Sequence, residues 1–110
     1  MLILILIAAV AAVIYLYFRG SVFTPLSTEQ NEMAISLAKE RYAQAKARGT
    51  NLSDGPCIAE DLMPDWVADI AHNPRHNLDN LPENQCGNFR IGKAHHFVEL
   101  DPEGNVIRVQ

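Results

Sequence analysis

Four histidines, His72, His76, His95 and His96, lie in the distal half of the chain close to several carboxylates, among them Asp69. Imidazole and carboxylate together suit zinc or copper, so a metal site is the first chemistry to weigh. The spacing argues against a ready-made one. His72 and His76 are four residues apart, but Pro74 between them prevents the helical turn that would align both rings. His95 and His96 are adjacent at the head of an expected strand and point to opposite faces, so they cannot share one ion. What remains is a site of His72, one of His95 and His96, and Asp69, on the condition that their strands adjoin. The simpler reading is structural, hydrogen-bonded histidines with no cofactor.

Other catalytic arrangements are weaker. Ser21, Ser27, Ser36 and Ser53 stand away from the histidines and none sits in a GxSxG elbow. The glycines form no phosphate loop. Glu60/Asp61 and Asp65/Asp69 could act as acid and base, but a domain this small leaves little room for a deep substrate pocket. Trp66 reads as core. The expectation is that the chain is not an enzyme.

Cys57 and Cys86 have no CxxC partner, and their separation fits a structural disulfide better than a zinc or redox motif. Two free buried thiols are the alternative. A disulfide implies an oxidising compartment. From Asp54 onward ten acids face four bases, a net charge of −6, whereas residues 19–53 carry five bases and three acids. An acidic distal domain excludes the phosphate neutralisation on which nucleic-acid binding rests.

These side chains need elements to hold them, and the first element is the plainest. Met1 to Phe18 contains no charged residue, and Arg19 is the first charge in the chain. Eighteen helical residues rise about 27 Å, close to the roughly 30 Å hydrocarbon core of a bilayer. Tyr15, Tyr17 and Phe18 cluster at one end, where rings favour the headgroup level. No basic residue precedes the run and no small-residue cleavage site follows it, so an uncleaved anchor over residues 1–19 is expected rather than a removed signal. Arg19 alone favours a cytoplasmic C-terminus; the cysteines favour the outside, and they weigh more.

Residues 20–50 read as a juxtamembrane or stalk helix. Thr24-Pro25 breaks regularity, Ser27 or Thr28 can cap, Lys46 and Arg48 stand in the last turn, and Gly49 follows. Met33, Ile35, Leu37, Ala38, Tyr42 and Ala45 form a modest apolar stripe, expected to pack on the distal domain. That domain, residues 51–110, begins after the turn-rich Asn51–Pro56.

Phe97–Leu100 and Val106–Val109 predict a C-terminal β-hairpin, with Asp101-Pro102-Glu103-Gly104 as its type I turn. Pairing Asp101 with Asn105 places Val98, Leu100, Val106 and Arg108 on one face and Phe97, Glu99, Ile107 and Val109 on the other. Trp66–Ala71 is the third strand, with a short helix capped by Asp65 as the competing reading. Leu81-Pro82-Glu83 opens a short helix that carries Cys86 and Phe89 inward. The fold class is therefore α+β: a transmembrane helix, an amphipathic helix, and a small domain with an antiparallel sheet of two or three strands, one short helix and one disulfide.

The layout Met1–Phe18, Pro25, a helix to Arg48, and a head holding Cys57 and Cys86 resembles type IV pilins. The resemblance implies a filament subunit with its apolar helix in the filament core. It departs at position 5, where Ile5 stands in place of the glutamate of the common bacterial pilins. The leading expectation is a single-pass protein that uses the lipid bilayer as anchor and presents an extracytoplasmic domain for protein binding or self-assembly. A pilin-like subunit comes second, and a metal protein using His72, His95 or His96 third.

Overall fold

The computed structural model describes residues 1–19 and 26–110; the expected break at Thr24-Pro25 lies outside the described residues. Helix α1 runs Leu2–Arg19, and none of its residues is buried. Its length and composition are those of a helix able to cross a membrane. At its polar end the Arg19 guanidinium lies 5.8 Å from the centre of the Tyr15 ring, one turn back.

Helix α2 spans Leu26–Ala47, so Ser27 and Thr28 lie in its first turn rather than capping it. It ends as expected: Gly49 adopts φ +78, and Thr50 N–H donates to Ala45 O at 3.0 Å. Ala34, Ala38 and Ala45 are its buried seam, flanked by half-buried Ile35, Leu37 and Tyr42, while Met33 of the expected stripe is exposed. Small side chains on that seam let the helix lie close against a sheet, which is why the stripe looks faint in sequence. The seam packs into the same core as Leu62, Trp66, Ala68, Ile70, Val98 and Leu100. Helix α2 and the strands are thus two layers around one shared core.

Four strands follow: β1 (Cys57–Met63), β2 (Trp66–Ile70), β3 (His96–Leu100) and β4 (Val106–Val109), in spatial order 1-2-3-4. The expected sheet of two or three antiparallel strands is corrected on both counts. The additional strand, β1, pairs with β2 with two register shifts, so its Glu60-Asp61 pair interrupts the alternation that reveals a strand. Pro64 and Asp65 make the β1–β2 turn, with Asp65 at φ +73, a conformation Asp tolerates. Trp66 is therefore in a strand, and the helix reading with an Asp65 cap is excluded. Strands β2 and β3 are parallel, pairing Trp66 with His96 and Asp69 with Glu99.

A parallel pair needs a long crossover, and residues 71–95 supply it. The expected helix from Leu81 is instead a 3₁₀ turn, Pro82–Asn84, followed by the short helix α3 (Gly87–Arg90) with Cys86 at its N-cap. Pro82 starts the first turn, but Cys86 in extended conformation interrupts it. This crossover covers the sheet face opposite α2, where Val67, Cys86, Ala94 and Phe97 form a second, smaller core. The Cys57–Cys86 disulfide ties it to the edge strand.

The C-terminal hairpin forms with the expected turn: Gly104 N–H donates to Asp101 O at 2.9 Å, and Asp101 N–H to Asn105 O at 2.8 Å. Tyr42 of α2 donates its hydroxyl to Pro102 O at 2.9 Å. Gly104, at φ +90, has no room for a Cβ, which would lie 2.7 Å from the Tyr42 ring. One expectation about faces is corrected. A β-bulge pairs Glu99 with Arg108 but Leu100 with Val106, leaving Ile107 extra. Arg108 therefore joins Phe97 and Glu99, and Val109 moves to the α2 side opposite Val98.

Candidate functional site

The condition set for a histidine site, adjoining strands, is met, yet the parallel register puts the histidines at opposite ends. His95 and His96 head β3 beside Asp65; His72 lies six residues past Trp66, about 20 Å along the strand direction at 3.3 Å per residue. His95 Nδ1 and backbone N–H both engage Asp65 Oδ1, and His96 Nε2 lies 3.6 Å from Asp65 Oδ2. That contact with His95, before the others, holds the Asp65 carboxyl below the usual range. His96 also stacks on Trp66 at 4.8 Å.

His72 has a different partner. Its Nδ1 and its backbone N–H both donate to Asp79, each at 2.9 Å, and its ring stacks on His76 at 4.0 Å. Sequence reasoning passed over Asp79, although it is the most buried acid of the chain. The signal was an acid in the helix-capping position three residues after His76.

Asp69, the fourth residue suggested from sequence, belongs to neither group. It lies in mid-strand beside Glu99, facing the crossover side with Val67 and Phe97. Among the described residues, one trio of potential ligand atoms falls within 4.8 Å of each other: Cys57, Glu60 and Cys86. Its sulfurs are joined in the disulfide and offer no thiolate. Glu60 is engaged as well, accepting the N–H groups of Gly87 at 2.6 Å and Asn88 at 2.8 Å.

The most developed site is the cleft around Asp69. It has a volume of about 130 Å³. Val67, Phe97 and Phe89 form its apolar walls, with Cys86 beside them. Asp69 and Glu99 stand side by side because the parallel register aligns them, and Arg75 and Arg108 reach in from the crossover and from β4. Both arginines go to Glu99. Arg75 Nη1 lies 3.3 Å from Oε1 and Arg108 Nη2 lies 3.2 Å from Oε2, so each carboxylate oxygen has its own cation. Arg75 is further fixed by Asn80 Oδ1 and Asp79 O, and Arg108 lies over the Phe97 ring at 4.9 Å.

Asp69 is left without such help: its Oδ1 is buried and takes no hydrogen bond from any described residue. Burial, then the neighbouring Glu99 charge, push its carboxyl up to about 7, against the pull of Arg75 and Arg108. The cleft thus holds a fully compensated carboxylate beside a carboxyl that exchanges its proton near neutrality.

A pH dependence follows. The folded chain keeps the Asp69 proton up to about pH 7, whereas the unfolded chain loses it near 3.8, so folding stability from this group falls as pH rises between those values. The span corresponds to a loss of roughly 2–4 kcal/mol. Asp69→Asn removes the titration, and its denaturation midpoint should fall less between pH 5 and pH 8 than that of the natural chain. Parallel curves for the two chains would refute the assignment.

Compared with known proteins, the chain matches no family model, no curated protein and no solved structure.

Proposed function

We propose that this chain is a single-pass membrane protein in which α1 tethers a small disulfide-linked α+β domain outside the cytoplasm, where the domain works as a binding or assembly module. The observation that carries the reading is α1 itself. Its mean hydropathy is 2.5, and none of its surface is buried by the rest of the described chain. Its seventeen residues from Leu2 to Phe18 are all apolar, and bare in water they would form an exposed apolar surface of a size that soluble monomers rarely carry. A bilayer supplies the missing cover.

The disulfide supports the outward orientation, because such bonds persist in oxidising compartments. The acidic domain fits a protein partner and not nucleic acid. Two fractions of native membranes test the reading. The chain should stay with the membrane through an alkaline carbonate wash and come out monodisperse in mild detergent. Release by carbonate would remove the anchor, and recovery in sheared filaments would replace the binding module by a pilin-like subunit.

A further inference from the structure

We propose that the cleft between β2, β3 and the crossover is a ligand site for a compact apolar molecule with an N–H donor head, with Asp69 as the acceptor. This rests on the binding-module reading only in giving it a ligand; it stands or falls separately from membrane attachment. Three observations converge. The cleft is concave, and its volume of about 130 Å³ suits a single ring or a short branched chain. Its walls are apolar on one side, from Val67, Phe89 and Phe97, and polar on the other.

The second observation is the unpartnered Asp69 Oδ1. A buried acceptor without a donor costs about 1–3 kcal/mol, and an entering N–H group removes that penalty. The Cβ–Cγ torsion of Asp is soft, so a partial turn of the carboxyl brings Oδ1 out of the wall to meet the entering donor.

The third is the placement of the arginines. Either could have satisfied Asp69, yet Glu99 holds both, and Asn80, Asp79 and Phe97 keep them there. Above about pH 7, where Asp69 is ionised, two arginines face two carboxylates, and the one vacancy is for a donor to Asp69. With Asp69 ionised, an anionic head would meet a second carboxylate with no proton to share. The chemistry selects amide or amidine heads over carboxylates.

Three probes of one shape separate the possibilities: benzamide, benzamidine and benzoate. The test is a titration of the full ¹⁵N-labelled chain in detergent micelles at pH 8, where Asp69 is ionised, read from backbone amide shifts. Benzamide and benzamidine should shift the amides of Val67–Ile70 and His96–Leu100, with benzoate at least tenfold weaker. Asp69→Val, which replaces the orphan carboxyl by an apolar strand former, should weaken both donors at least tenfold with the rest of the spectrum unchanged. Asp69→Asn keeps an acceptor oxygen and should bind benzamide within about threefold of the natural chain. Benzoate binding as tightly as benzamide overturns the proposal, as does unchanged affinity in Asp69→Val, or no shift at these strands with any probe.

Discussion

Replacing Cys57 and Cys86 together by alanine should lower the unfolding free energy by about 3–4 kcal/mol, and reducing the natural chain should do nearly the same. The bond closes a loop across a sequence separation of 29, and the chain-entropy cost of that loop sets the size of the effect. Its position adds a structural reason. The crossover, residues 71–95, contributes only a small core around Val67, Ala94 and Phe97, with Cys86 in it. Beyond the disulfide, Glu60 holds the crossover to β1 through the N–H groups of Gly87 and Asn88. Without the disulfide this layer should open first. A denaturant titration followed by the fluorescence of Trp66, the one tryptophan, measures the change. Identical midpoints with and without reductant would show that the layer is held by packing alone.

Asp79→Ala should be as damaging, at about 3–5 kcal/mol. The Asp79 side chain is 1% exposed and accepts three hydrogen bonds: backbone N–H of His72 at 2.9 Å, backbone N–H of His76 at 3.0 Å, and His72 Nδ1. Alanine leaves two backbone donors without partners in a tight loop. Gly55 is built around the same carboxylate, since a Cβ there would lie 2.5 Å from Asp79 Oδ1, and its φ of +70 suits glycine. Asp79→Asn keeps one acceptor oxygen and should cost less.

The damage should spread to the cleft. Arg75 Nη2 donates to Asp79 O and Nε to Asn80 Oδ1, so the loop that Asp79 organises also aims Arg75 at Glu99. The pH behaviour is opposite to that of Asp69. Burial alone would raise the Asp79 carboxyl, but the N–H groups of His72 and His76, with the His72 ring, together hold it below its ordinary 3.8. Its contribution is complete above that value and is lost as pH falls through the lowered one. On acidification Asp69 therefore takes up its proton first, near neutrality, and the loop loosens only once the pH has fallen below about 3.8.

The parts legible in sequence are those coded by neighbours. Asp101-Pro102-Glu103-Gly104 specifies its turn within four residues, Gly49 ends its helix, and the apolar run of α1 declares itself. The parts not legible depend on register. No local pattern announces that β2 and β3 are parallel, because the crossover between them is made of 3₁₀ turns and a four-residue helix instead of one long helix. The bulge at Ile107 is likewise invisible to simple alternation, and it alone carries Arg108 to the cleft side.

The cleft was hidden for the same reason. Asp69 and Glu99 are thirty residues apart and meet only through the strand register. A signal did exist: each is a single acid inside an apolar run, Val67-Ala68-Asp69-Ile70 and Phe97-Val98-Glu99-Leu100. An acid at mid-strand calls for compensation, and here Glu99 has two arginines while Asp69 Oδ1 has no donor among the described residues.

The central claim is a domain held at a membrane and displayed outside the cytoplasm, and its lysines offer the most direct test. Lys39, Lys46 and Lys93 are the chain's only lysines, all lie after α1, and all are exposed. Sealed right-side-out vesicles from native membranes, treated with a membrane-impermeant amine reagent and mapped by peptide, should carry label on all three lysines before lysis. Label that reaches these lysines only after the vesicles are broken would place the domain in the cytoplasm and contradict the account.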